Sequence, residues 1–321
     1  MTRSPSVLSR LRTSIARLWR GSAPLAGVGL AMLPLLAACL VGLWLDPRSI
    51  AGAPAWLKPA KFAASIAVYS LTLAWAFHHL PSHPRVRRWV GRVSAGVFVI
   101  EFAIIALQAW RGQLSHFNAG SLLDGALFSI MGASIVLQTV TSVAVAVALW
   151  RERFADRALG WSLRLGFCIT ILGASIGGLM TRPTAAQLEG MRTAPPAVVG
   201  AHTVGAPDGG PGLPGTGWSR EHGDLRVPHF FGLHAVQILP LLALGLRRSR
   251  RPEPQRVRLV VSAGVSYAGL FAWLLWQALR GQPLVAADVS LMVGLLAWAG
   301  LSLGLAGYAL AGERREALYS V

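Results

Sequence analysis

Residues 24–45 read PLAGVGLAMLPLLAACLVGLWL, and from Pro24 to Leu45 there is no charge, amide or hydroxyl. A helix needs about 20 such residues to cross a hydrocarbon core roughly 30 Å thick. A helix that is apolar on every side is stable only where everything around it is apolar too. This stretch therefore predicts a membrane span, and the rest of the chain repeats the pattern. Seven further runs qualify: Leu57 to Leu80, Val90 to Trp110, Leu122 to Trp150, Ala158 to Met180, Pro228 to Leu246, Arg258 to Leu279 and Ala287 to Ala311. The expected fold is an all-α, polytopic membrane bundle of eight transmembrane helices.

Composition agrees. Only 13% of the 321 residues are charged and 54% are hydrophobic, whereas soluble domains carry about a quarter charged residues. A net charge of +17 would suggest nucleic acid in a soluble chain. Here the basic residues sit in short clusters between apolar runs, which is how orientation is encoded. The expected partner is the lipid bilayer, with no nucleic acid.

The clusters are unequal on the two sides. Arg3, Arg10, Arg12, Arg17 and Arg20 precede the first span, and Arg85, Arg87, Arg88 and Arg92 follow the second. Arg151, Arg153, Arg157 and Arg164 follow the fourth, Arg247, Arg248, Arg250, Arg251, Arg256 and Arg258 the sixth, and Arg314 and Arg315 end the chain. Together they are 21 of the 30 Lys and Arg. Short basic loops stay cytoplasmic, so both termini are expected inside a bacterial plasma membrane. Leu36-Ala37-Ala38-Cys39 has the look of a lipoprotein cleavage site. The apolar run continues to Leu45, however, where such a signal would turn polar, and a retained helix is expected. Cys39 and Cys168 both fall inside apolar runs and form no recognisable redox or metal spacing.

The expected organisation is a basic N-terminus (1–23), membrane helices over 24–180, an outer loop (181–227), membrane helices over 228–311 and a cytoplasmic tail (312–321). Residues 193–217 are rich in Gly and Pro, which predicts a loosely packed loop. An internal repeat is also expected. Gln108-Ala-Trp-Arg111-Gly-Gln113 closes the third span, and Gln277-Ala-Leu-Arg280-Gly-Gln282 closes the seventh. Lys61-Phe62 faces His229-Phe230 in nearly the same frame, Ala67-Val68 matches Ala235-Val236, and Asp124 and Asp288 open spans four and eight. These matches predict a 4+4 tandem parallel repeat, with the first copy over about 24–150. Parallel repeats occur in transporters, with sites at the repeat interface.

The polar residues inside the spans carry the functional argument. Glu101 lies about 13 Å from the outer end of its span at 1.5 Å per residue. An ionisable group at that depth is costly, and is a functional candidate by default. His234 and Gln237 enter at similar depth in span six, with His229 at its mouth. His229 and His234 point about 140° apart around a helix, so they cannot readily share a metal, and no metal site is expected. Lys61, Arg111, His116, Asn118, Asp124, Asp224 and Arg226 complete the candidates near the outer surface. Gly173-x-x-x-Gly177 permits close helix contact, and Trp44, Trp56, Trp110, Trp150 and Trp161 sit where an interfacial belt would. The sequence contains no phosphate-binding, dinucleotide, zinc-protease or serine-hydrolase motif.

The stretch Gly223-Asp224-Leu225-Arg226-x-x-His229-Phe230-x-Gly232-Leu233-His234-Ala235-x-Gln237 resembles a group of bacterial multi-pass membrane proteins with no assigned activity. Trp56-Leu57-Lys58-Pro59-x-Lys61-Phe62 and Ser115-His116-Phe117-Asn118 are similar to that group too. The resemblance implies a bacterial inner-membrane location and brings no substrate, cofactor or catalytic residue. Three activities fit the residues. The first is a transporter or channel-like protein, with Glu101 taking up a proton or cation and a small polar or anionic ligand arriving from the outer side. The second is a membrane-embedded enzyme or haem/metal redox protein using the outer histidines. The third is a sensor or assembly factor whose partner meets the outer loop at Trp218 to Arg226.

Overall fold

The computed structural model describes residues 6–318, leaving aside the side chains of residues 7, 8, 10, 11 and 312–318. Arg3 thus lies outside the described residues, as do the side chains of Arg10, Arg314 and Arg315. The fold is all-α, and eight helices are long and apolar enough to cross a membrane. By Cα packing the chain divides into two compact units, Met1–Glu152 and Arg153–Val321.

The first unit opens with α1 (Val7–Gly21), a helix where only a basic leader was expected, capped by the Ser6 side chain on the Ser9 N–H. The Arg87 guanidinium donates to the Arg20 carbonyl at 2.8 Å, satisfying a helix C-terminus that has no internal partner. Gly21 then passes so close to the Ala74 carbonyl that no side chain fits there. Span one is α2 (Ala23–Leu45), which runs unbroken through Cys39. A two-residue ribbon, β1 (Ser49–Ile50) with β2 (Ala53–Pro54), leads into α3 (Leu57–His78). Next come α4 (Pro84–Trp110) and α5 (Leu122–Arg151). Within the unit α2 packs most on α3, and α4 most on α5.

The second unit holds α6 (Arg157–Met180), short α7 (Ala185–Gly190), the ribbon β3 (Thr203–Val204) with β4 (Gly223–Asp224), α8 (Arg226–Leu233), α9 (Ala235–Arg247), α10 (Glu253–Leu279) and α11 (Val289–Leu318). Its packing order matches that of the first unit: the fifth span lies against the sixth and the seventh against the eighth. The backbone of α11 is helical to Leu318, into the stretch expected as a tail.

Two expectations need correcting. The loop after α6 stays mostly exposed over 193–217 but is cross-linked at several points. Thr184 and Gln187 form a reciprocal cap on α7, and the Gln187 amide also bridges Gly200 through both its oxygen and its nitrogen. Asp208 accepts from the His202 and Thr203 N–H groups and pairs with the His202 ring at 2.7 Å. Composition hid this order because Gly and Pro report backbone freedom, not the few side chains that cross-link a loop.

The second correction concerns span six, which is two helices rather than one. The regular helix stops at Leu233 and restarts at Ala235, with His234 between them. Carbonyls at the break gain partners from other helices. Tyr267 Oη donates to Phe231 O at 2.6 Å, and Thr170 Oγ1 lies 3.4 Å and 3.3 Å from the Gly232 and Leu233 carbonyls. In hydrocarbon an open carbonyl costs several kcal/mol, so these two hydroxyls make the break tolerable.

Candidate functional site

The loop between α4 and α5 gathers four of the first unit's candidates. The α4 C-terminus closes with Gly112 at φ +72, where a side chain would be strained. Gln108 Nε2 and Arg111 Nη1 both donate to Asp124 Oδ1, at 2.8 and 2.7 Å. Ser121 Oγ donates to Asp124 Oδ2 at 2.7 Å and caps α5 by accepting the Asp124 N–H. Asp124 is thus neutralised and fully engaged. Asn118 is absorbed in the turn, donating to Leu114 O and accepting from Gly120 N. The His116 ring sits among Phe62, Phe117 and Phe128. These four residues build a helix connection.

The α10–α11 connection repeats that build. Gly281 has φ +71, Gln277 Nε2 donates to Pro283 O as Gln108 Nε2 does to Leu114 O, and Arg280 pairs with Asp288 at 2.8 Å. Asp288 also caps α11 through the Leu291 N–H.

Asp224 and Arg226 form a fork: Arg226 Nε and Nη2 meet Asp224 at 3.0 and 2.6 Å, and the Asp224 carboxylate also accepts the Ser219 and Arg226 N–H groups. Arg226 Nη2 ties in the Gly217 carbonyl. Asp46 and Arg48 make the same fork at the end of α2, joined by the Trp56 indole. Hydrogen bonds from Arg48, then Trp56, hold the Asp46 carboxyl well below its usual range. Both forks act as loop clamps.

In the second unit, His229 Nδ1 lies 2.7 Å from Gly173 O. His234 occupies the helix break, its ring 4.3 Å from Phe230. Gln237 follows, half-buried, on α9. Gly173 and Gly232 meet backbone to backbone, and a Cβ on either would come within 2.7 Å of the other. Sequence reasoning found Gly173 but missed Thr170 and Tyr267, since common hydroxyl residues give no signal until the carbonyls they serve are seen. Among the described residues no three His, Cys, Asp or Glu side chains gather as a metal centre would need.

Glu101 stands apart. It is 2% exposed, and neither carboxylate oxygen has a hydrogen-bond partner. Lys58 at the start of α3 is the charge near enough to act on it, and Lys61, one turn further, is exposed. Ser94, Glu101 and Gln108 recur every seven residues and so share one face of α4. All three are buried. Glu101 and Lys61 belong to the first unit, and His229, His234 and Gln237 to the second.

The fold and this buried acid define an all-α, multi-pass membrane protein with an unpartnered carboxyl group inside one span. Comparisons with protein families, with curated proteins and with solved structures each find no match to the chain.

Proposed function

We propose that the protein is a proton-coupled transporter or channel-like protein of the bacterial inner membrane, with both termini cytoplasmic and Glu101 as its protonation site. One observation carries this reading. A carboxyl group about 13 Å into a span, with no partner for either oxygen, is costly in hydrocarbon and is retained where its proton is used. The ligand is a small polar or anionic molecule from the outer side, attracted by Lys58 and Lys61 at the start of α3.

The two four-span units are read as a tandem duplication. Support comes from the shared packing order, the matching Gln-x-x-Arg-Gly-Gln closures and the paired Asp–Arg forks. Of the other activities, the redox reading draws no support from the histidines: His229 bonds a carbonyl and His234 sits at a helix break.

The test is flux or current in proteoliposomes across a pH gradient. Wild-type protein is expected to conduct or accumulate substrate in a pH-dependent way, and Glu101→Gln to lose that dependence at least tenfold. Full pH-dependent transport by Glu101→Gln would remove Glu101 from the mechanism.

A further inference from the structure

On one side of Glu101 the first unit places a buried apolar cluster, and on the other several buried polar atoms without partners. At 1.5 Å per residue, levels along the spans can be counted from the ends that carry Leu57, Trp110 and Leu122. Glu101 and Met131 lie about 13 Å in. Phe62, Ile104, Ile105 and Leu127 lie roughly 8 to 9 Å in, between Glu101 and the Arg111–Gln108–Asp124 network. Ile104, Ile105 and Met131 form one buried cluster, with Phe62 and Leu127 packed on it. An apolar cluster thus lies between the level of Glu101 and the arginine-poor end.

Toward the opposite end, polar side chains lie among buried apolar ones such as Phe98, Leu73 and Phe77. Tyr69 and Ser70 of α3 lie about 18 to 20 Å in, and Ser94 of α4 and Gln138 of α5 about 24 Å. Ser70 Oγ, Ser94 Oγ and Gln138 Oε1 are all buried without a partner. Gln138 Nε2 reaches Ser142 Oγ at 3.4 Å, and Tyr69 Oη lies 3.5 Å from the same atom. Buried polar atoms are normally satisfied. Three open ones come from three successive spans, all on the same side of Glu101.

We propose that Glu101 exchanges a proton, rather than binding a metal cation, and does so along the Ser94–Ser70–Gln138 track from the arginine-rich end. This deepens the transporter reading and rests on it for the role of Glu101. The site does not suit a hard cation, since an ion such as Ca2+ takes about 6–8 oxygen ligands and Glu101 has no acidic or histidine cluster around it. The ammonium of Lys58 would also repel a cation. The other titratable groups on the elements packed against α4 are Lys61, Tyr69 and His78 of α3, Cys39 of α2 and Asp124 and Arg151 of α5; Arg85, Arg87, Arg88, Arg92 and Arg111 are on α4 itself. Among all of these, Lys58 alone acts on Glu101 electrostatically.

The experiment is infrared difference spectroscopy of the full chain in lipid nanodiscs, following hydrogen–deuterium exchange of the carboxyl C=O band that Glu101→Gln removes. Ser94→Val and Ser70→Val are expected to slow that exchange at least tenfold with the band still present, and Ile105→Ala to leave the serine dependence intact. If a valine variant fails to fold, the Ser→Ala variant takes the same reading. Exchange at wild-type rate in both serine variants would overturn the route, as would a Glu101 that shows no protonated band at any accessible pH. Calcium-dependent loss of the band would overturn the choice of proton over metal. Serine-dependent exchange without any transport would sink the transporter reading alone. Glu101-dependent transport with serine-independent exchange would sink the route alone.

Discussion

Two buried carboxyl groups in the first unit show how differently one residue type can be used. Asp124 is 6% exposed and receives Gln108, Arg111 and Ser121, while Glu101 is 2% exposed and receives nothing. Sequence depth alone picked out Glu101, because α4 is otherwise apolar there. It could not separate Asp124, Asp224 or Arg226 from a ligand site, since their partners are set by loop geometry. Asp208 offers a test at the same scale. Burial alone would raise its pKa, but the His202 ring and the backbone N–H groups of His202 and Thr203 outweigh that and hold it below its ordinary value. A depressed carboxyl stabilises the folded form above its unfolded value, about 3.9, and that stabilisation is lost as pH falls through the folded value. Amide exchange at His202 and Thr203, corrected for intrinsic rates, should rise as pH falls below about 4. In Asp208→Asn it should be fast throughout, and unchanged protection would show that the carboxylate does not hold the loop.

Among the elements, the span edges were legible and the break in span six was not. Apolar runs end at charges, so each predicted span lies within or close to a helix of the structure. Nothing in Gly232-Leu233-His234-Ala235 itself breaks a helix, and Pro240 lies further on. The break is stabilised by Thr170 and Tyr267, which come from helices distant in sequence, and a local pattern cannot contain them. Tyr267→Phe removes the donor to Phe231 O and should lower stability by about 1–3 kcal/mol. Gly232→Ala places a methyl group against the Gly173 backbone and should cost about 1–3 kcal/mol or more. Thermal unfolding in one detergent checks both, and a wild-type midpoint in either would mean that the break relaxes without these contacts.

For the molecule as a whole, the proposed orientation rests on arginine placement. After replacement of Cys39 and Cys168, a single cysteine at Ala206 should react with an impermeant thiol reagent in intact cells. One at Ser249, in the arginine-rich loop, should react only after the membrane is opened. Labelling of both from the same side would break the eight-span arrangement. The proposed repeat rests on short matched words at the ends of spans three and seven, where Gln108 and Gln277 each bind a carbonyl six residues on. Span interiors carry little of it, because lipid accepts many apolar sequences equally.

Where Gly173 meets Gly232, main chain rests on main chain, with no rotamer to change and no methyl group to compress. Most helix contacts absorb small shifts through their side chains; this one has none to give. Spans five and six therefore share a pivot. A rearrangement of the second unit must either turn about it or pull it apart outright, so intermediate positions of these two spans should be scarce.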